Sequence, residues 1–221
     1  MPCFFVVSGE LPMKNWRNFL IQAGIALALV GSYVVWRSIH SGPEAALSNV
    51  QSSYSGTLLN DHEPLPNFSL QTAGSKFGNS DIAGHWTFIF FGYTQCPDVC
   101  PTALSILKEL KTRLAAEKAS LPKIVFVSVD PRRDSLELLS NFTSAFDSSF
   151  VGVTGSDELL APLVKHLGVF YQRNDQQDAK HYSVDHTAAI YLIDPQGRLK
   201  MVFGPPQDAA GMMRDYLALI R

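Results

Sequence analysis

The sequence predicts an α/β domain, a central mixed sheet flanked by helices, carried behind one membrane-spanning helix. Three observations predict it. An uncharged apolar stretch lies between Arg17 and Arg37. From residue 86 onward, apolar runs of strand length alternate with segments whose leucines recur every three or four residues. The chain then closes on two short apolar runs around a PQG turn, followed by one last helical segment.

The apolar stretch NFLIQAGIALALVGSYVVW contains nineteen residues, Asn18 to Trp36. As a helix it covers roughly 28 Å, close to the hydrocarbon thickness of a bilayer. Trp16 and Trp36 bracket it as interfacial anchors, with Tyr33 near the same edge. A cleaved signal peptide is the alternative, but its apolar core would be shorter, about 7–15 residues. This run is longer and ends in VVWR, which favours an uncleaved anchor; EAALS at 44–48 leaves a cleavage site available. Lys14 and Arg17 precede the span and Arg37 follows it, placing the N-terminus in the cytoplasm and the remainder outside. Residues 1–12 hold Glu10 and no Arg, unlike a mitochondrial transit peptide, and Met13 is an alternative start. The expectation is a single-pass protein of the bacterial inner membrane with its C-terminal domain in the periplasm. Residues 1–17 form a short cytoplasmic N-terminus, 18–36 the anchor, 37–64 a flexible tether rich in Ser, Gly and Asn, and 65–221 the folded domain.

Composition narrows the function. Apolar residues make up 46% and charged residues 17%, and the formal net charge of -2 gives no sign of a nucleic-acid partner. Removing Lys14, Arg17, Arg37 and Glu10 leaves 15 basic and 19 acidic residues, a mildly acidic outer domain. Three cysteines do not make the disulfide framework of a small secreted domain. Cys3 falls across the membrane from Cys96 and Cys100 and does not pair with them.

The elements follow in order. PNFSL (66–70) is a short strand, and WTFIFFGY (86–93) a continuous apolar strand buried on both faces. Pro101 to Ala116 places Leu104, Leu107, Leu110 and Leu114 on one helical face. KIVFVSV (123–129) is a second buried strand. DSLELLSNFTSAF (134–146) is a helix with Asp134 as N-cap and Glu137 three residues on. FVGV (150–153) is a strand; Asp157 to Leu167 is a helix ended by Gly168. AAIYLID (188–194) and RLKMVF (198–203) form a hairpin around PQG, and Asp208 to Ile220 closes the chain as a helix. A hairpin followed by a terminal helix is how a thioredoxin-like domain ends. In that fold the reactive thiols sit where the first central strand turns into its helix, here FGYTQCPDVCPTALS (91–105).

Two cysteines there admit three readings: a structural disulfide, a redox dithiol, or two legs of a metal site. The helix N-terminus favours thiolate over thiol in the latter two. As a staple the pair would close a very short loop and stabilise little. Three residues separate the cysteines where a redox pair of this fold usually has two. Pro97 and Pro101 disfavour helical angles at each cysteine, so a stiff loop and a helix starting near Pro101 are expected. VDHT (184–187) occupies the slot before the hairpin strand that often holds a cis-proline, with His186 in its place. Two thiolates and one imidazole make a trigonal site that Cu(I) accepts, and Cu(II) binds the same groups with a further carbonyl or water. A structural zinc site needs a fourth ligand. Among the other histidines, His181 is the one substitute ligand; His40, His62, His85 and His166 read as ordinary polar residues. Asp130 begins a turn with Pro131, Asp185 bonds loop amides, and Met201, Met212 and Met213 read as core or helix positions. A peroxidase would need Thr and Arg beside one activated cysteine; Thr94 is present, but no Arg is recognisable for the role.

FFGYTQCPDVCPTAL, FVSVDPRRD (126–134), VTG (153–155) and YSVDHT (182–187) before IYLIDPQG together resemble the Sco (SenC) family, in order, from about Leu65 to the C-terminus. The resemblance implies a membrane-tethered thioredoxin-like protein that helps assemble the binuclear copper centre of cytochrome c oxidase. It implies copper as Cu(I), Cu(II) or both, bound by Cys96, Cys100 and His186. The implied partners are the copper-accepting oxidase subunit and a periplasmic thiol reductant or copper donor. The role implied is metallochaperone rather than enzyme, with thiol–disulfide exchange at Cys96 and Cys100 as the alternative. Asp130 and Asp134 match the family's D-P-x-x-D segment, as electrostatic or structural support. Gln95 stands where the family often has His, and QTAGSKF (71–77) lacks a common acidic residue; neither departure removes a ligand.

Overall fold

The computed structural model describes residues 16–40, 54–59, 63–174 and 182–220. The chain divides into two compact units, residues 1–50 and 51–221. In the first, helix α1 (Trp16–His40) contains a stretch, Leu20–Ser38, long and apolar enough to cross a membrane. Every side chain along that stretch is exposed. The starts Met1 and Met13, and Cys3, lie outside the described residues.

The second unit is built on a six-stranded sheet in the order β1 (Thr57–Leu58), β10 (Leu199–Phe203), β9 (Ile190–Ile193), β4 (Thr87–Gly92), β5 (Lys123–Ser128), β6 (Val151–Val153). Strands β4, β5 and β6 are parallel, Phe90 standing opposite Phe126 and Val127 opposite Val153. β9 runs antiparallel to β4 and to β10. The mixed sheet expected from the sequence is therefore present. All six residues of β4 are buried, which explains its unbroken apolar run: a central strand covered on both faces has no side left for alternation.

Helix α3 (Val99–Ala116) buries Leu104, Leu107, Leu110 and Leu114, the face predicted from their spacing. At ~1.5–3 kcal/mol per buried leucine, this face outweighs any intrinsic helix propensity. It packs against the C-terminal helix α6 (Ala209–Leu219), whose Tyr216 hydroxyl donates to the Ser120 carbonyl at 3.0 Å. Helix α4 (Leu136–Ser144) packs on β6, and α5 (Asp157–His166) is followed by Gly168 at φ +64°, the left-handed stop expected of that glycine. Two smaller pairs complete the domain: β2 (Ser69–Gln71) with β3 (Lys76–Gly78), leading into the short helix α2 (Asn79–Ile82), and β7 (Tyr171–Arg173) with β8 (Val184–His186).

Three expectations are corrected. The folded domain begins before Leu65, because Thr57 and Leu58, assigned to the tether, pair with Val202 and Met201 at the sheet edge. The segment is fastened by the buried Asp215 of α6, whose Oδ2 accepts from the Ser55 N–H (2.7 Å), the Ser55 hydroxyl (2.6 Å) and the Gly56 N–H (3.0 Å). A strand of two residues has no hydrophobic period, so neither its partners Val202 and Met201 nor the Ser55–Asp215 bond spanning 160 residues was legible. Second, the α4 N-cap is Ser135, accepting from the Leu138 N–H, and Asp134 turns inward instead. Third, α3 starts at Val99, so Cys100 lies inside its first turn.

Replacing Asp215 by Ala orphans three donors around one buried carboxylate. We expect a loss of about 2–3 kcal/mol, measured by urea unfolding, with the metal-site cysteines unaffected.

Candidate metal centre

The β4 strand ends at Gly92, and the chain turns through Tyr93–Asp98 into α3. A helix start leaves its first N–H groups without intrahelical partners. Here the Cys100 N–H points at the Cys96 sulfur, 3.4 Å away. Cys100 is fully buried and Cys96 half-buried, and both are free thiols. Gly92 makes room for the pair: a Cβ there would stand 2.5 Å from Cys100 Sγ and 2.9 Å from the Phe126 ring.

The third group arrives from β8. His186 Nε2 lies 3.5 Å from Cys100 Sγ, and the ligand atoms of Cys96, Cys100 and His186 all fall within 4.8 Å of one another. His186 Nδ1 is 3.1 Å from the Thr187 carbonyl oxygen. A carbonyl only accepts, so in the neutral ring Nδ1 carries the proton and Nε2 turns its lone pair toward the sulfurs. The Phe90 and Tyr93 rings meet the imidazole nearly edge-on, at 78° and 86°, with centroids 6.0 Å away in each case. The site opens into a cleft of about 280 Å³ whose walls include Tyr93, Pro97, Asp98, Val99 and Asp185.

The two sulfurs divide one proton. The Cys96 thiol is held far below its ordinary value, down to about 3: a hydrogen bond from the Cys100 thiol contributes most, and the Asp98 and Cys100 N–H groups add to it against the opposing effect of burial. Cys100 is pushed up, first by holding that proton toward Cys96 and then by its own burial. The reduced site is thus a thiolate beside a thiol, with a lone pair on the third group: two soft sulfur donors and an imidazole, a set that suits a soft monovalent ion.

Around this centre lie Arg133, Arg173 and Tyr182, which the sequence did not single out. Asp130, fully buried, receives Arg133 Nε at 2.6 Å and the Tyr182 hydroxyl at 2.7 Å, with Arg173 Nε at 3.5 Å. Arg173 also donates to the Val129 carbonyl and forms an ion pair with Asp157 at 2.7 Å. Asp134 accepts from the Thr94 N–H (3.0 Å), the Thr94 hydroxyl (2.6 Å) and the Ser128 hydroxyl (2.6 Å). Asp130 and Asp134 were expected to support the site, and each ties the end of β5 to a loop that carries or flanks a ligand. The Thr94 hydroxyl donates to Asp134 rather than to Cys96. Arg133 had a local signal, three residues after Asp130 in DPRRD. Arg173 had none, since Asp130 lies 43 residues before it in the sequence. Met201 and Met212 are fully buried in the core, as expected. His181 lies outside the described residues.

Comparison with known proteins agrees with this geometry. The SCO1/SenC family model matches residues 59–221. The chain belongs to the SCO1/SenC family. The mouse mitochondrial SCO2 homolog is 35% identical over 142 residues, 63% of this chain and 55% of that protein; the chain spans little more than half the length of the curated relatives it matches. Among solved structures, Arabidopsis thaliana ScoI with copper bound is 28% identical (TM-score 0.67, covering 72% of this chain and 99% of that one). Apo Sco1 from Thermus thermophilus is 34% identical (TM-score 0.67, covering 75% and 96%). The SCO1/SenC fold is thioredoxin-like, and the helix Trp16–His40 lies outside the matched region.

Two outcomes test the site. Because the Cys96 pKa is depressed, its alkylation by iodoacetamide in the folded protein stays constant from about pH 8 down to about pH 5, whereas both thiols of the unfolded chain slow as pH falls below their ordinary 9.0. For Cys96 taken alone the linked stability is present above pH 9.0 and is lost as pH drops toward about 3; the raised Cys100 thiol acts the other way above pH 9.0, where the unfolded chain ionises it and the folded chain does not. In Gly92→Ala the new methyl presses on Cys100 and Phe126; we expect about 1–3 kcal/mol of destabilisation by chemical unfolding, and a newly alkylated Cys100 by mass mapping.

Proposed function

We propose that the SCO1/SenC chain is a membrane-anchored copper chaperone. Cys96, Cys100 and His186 hold one copper ion and pass it by ligand exchange to the copper-accepting subunit of cytochrome c oxidase, where the binuclear centre is assembled. The observation that carries this reading is the convergence of two sulfurs and one imidazole nitrogen within 4.8 Å at the mouth of a cleft. The copper-bound ScoI relative supports the choice of ion. The apolar helix supports the anchor, and the charges flanking it support a domain facing the periplasm of a bacterial inner membrane.

The protein's own residues define the chemistry. Cys96 enters as a thiolate; Cys100 gives up its proton when an ion binds, so uptake releases one proton at neutral pH. His186 offers Nε2, the ring nitrogen that is not engaged by the Thr187 carbonyl. Release reverses the order: an acceptor thiolate displaces one donor, and the returning proton closes the Cys96–Cys100 hydrogen bond.

The thiolate–thiol pair also favours a second reading, thiol–disulfide exchange that keeps the acceptor's cysteines reduced. Cys96 sulfur attacks a client disulfide and expels one client thiolate. Cys100, losing its proton, then attacks the mixed disulfide, so two electrons reach the client and a Cys96–Cys100 disulfide remains. A periplasmic thiol reductant must then restore the pair.

In titrations of the reduced full chain in detergent, we expect one Cu(I) per chain and X-ray absorption showing two sulfurs and one nitrogen around it. His186→Ala should weaken Cu(I) binding against a competing chelator and remove the nitrogen. Unchanged affinity in that variant would overturn the copper reading. A mixed disulfide trapped with Cys100→Ala in copper-free conditions would support the exchange reading instead.

A further inference from the structure

The imidazole is held by a strand that does not belong to the main sheet. Among the described residues β8 pairs with β7 alone, so no strand ladder among them fixes the distance between His186 and the thiol loop. That distance has to be set by side chains, and one of them reaches both sides. Arg133 Nη1 donates to Gln95 Oε1 at 3.2 Å, next to Cys96, and to the Tyr182 carbonyl at 2.8 Å, two residues before β8 begins. Its Nε is locked on the buried Asp130 at 2.6 Å. Its guanidinium carbon lies 3.5 Å from the centroid of the Tyr182 ring and 5.7 Å from that of Tyr93, the ring that meets His186 edge-on. The guanidinium is needed for this: Nε holds Asp130 while Nη1 serves both loops and the plane stacks on the Tyr182 ring, whereas a point-charge ammonium seated on Asp130 has no second nitrogen to reach the loops and no plane to stack.

We infer that Arg133 is the positioning residue that sets the imidazole-to-thiolate distance, clamping the Gln95 side of the cysteine loop to the Tyr182 end of the β7–β8 hairpin. Gln95 gains a role from this. Its amide oxygen accepts from Arg133, a neutral partner that leaves the Asp130 ion pair undisturbed. Arg133 touches no bound ion; it acts through the two elements that carry the ligands. The inference rests on the copper reading of the site.

The test is a double-mutant cycle on the full chain in detergent, using Cu(I) itself, a chelator competition and X-ray absorption. Arg133→Met is expected to lower Cu(I) affinity about 10–100-fold and to remove the nitrogen scatterer while both sulfurs remain. In that background His186→Ala is expected to change affinity by no more than about twofold, since the imidazole no longer contributes. Arg133→Lys keeps a cation on Asp130, and therefore the fold, but lacks the fork; it is expected to show the same loss of nitrogen. A residue with a merely structural role would lower thermal stability without uncoupling His186. If either variant retains two sulfurs and one nitrogen and its full dependence on His186, the inference is overturned. If His186→Ala has no effect even with Arg133 present, it is the copper reading that fails.

Discussion

One backbone hydrogen bond organises the site, from the Cys100 N–H to the Cys96 sulfur across 3.4 Å, and it holds the two thiols close enough to share the proton that ionises one of them. It exists because α3 begins at Val99, inside the cysteine pair rather than after it. A helix that started two residues later would leave both cysteines in a loop, with no first-turn N–H aimed at sulfur. With the start where it is, a backbone donor and the positive end of the helix both act on Cys96, and Cys100 is drawn down into the core beneath Gly92. The two thiols become unequal: one exposed enough to meet a partner and ionised, the other buried and protonated. Either cargo binding or electron exchange starts from that inequality.

Much of this was legible in the sequence, for physical reasons. β4, β5 and α3 announce themselves because a doubly covered strand is uniformly apolar and a one-sided helix repeats every three to four residues. The CPDVCP loop and VDHT were legible because they carry the rarer chemical types at a strand–helix junction and before a hairpin. What was hidden is equally explicable. β1 and β7 are two and three residues long, too short for any period, and the partner of β1 lies far along the chain. Asp134 looked like an N-cap since it precedes a helical run with Glu137 in register. Ser135 took that position because Asp134 had three better donors, from Thr94 and Ser128, available only in the folded state.

Asp130 and Asp134 illustrate how one short segment serves two loops. Both are buried at the end of β5, four residues apart, and each would be costly if left unpaired. Asp134 is satisfied by neutral donors, and burial pushes its pKa up. Asp130 lies against two guanidinium groups and a phenol. The neutral set anchors the start of the cysteine loop, while the charged set anchors the hairpin that carries His186. The ligands thus stand on separate supports that meet at a single turn of chain.

Under the proposed function, separate supports bear directly on transfer. A site whose three donors shared one rigid element would have to distort that element to release its ion. Here the sulfurs are fixed by the α3 first turn and the nitrogen by a two-stranded hairpin outside the main sheet, so the nitrogen can yield to an incoming donor while the sulfurs keep their geometry. A trigonal ion that exchanges one donor at a time never passes through a state with fewer than two soft ligands. The half-exposed Cys96 at the cleft mouth leaves room for that incoming group. On this argument the bipartite scaffold suits handover as well as affinity, and it explains why the third donor is not drawn from the cysteine loop itself.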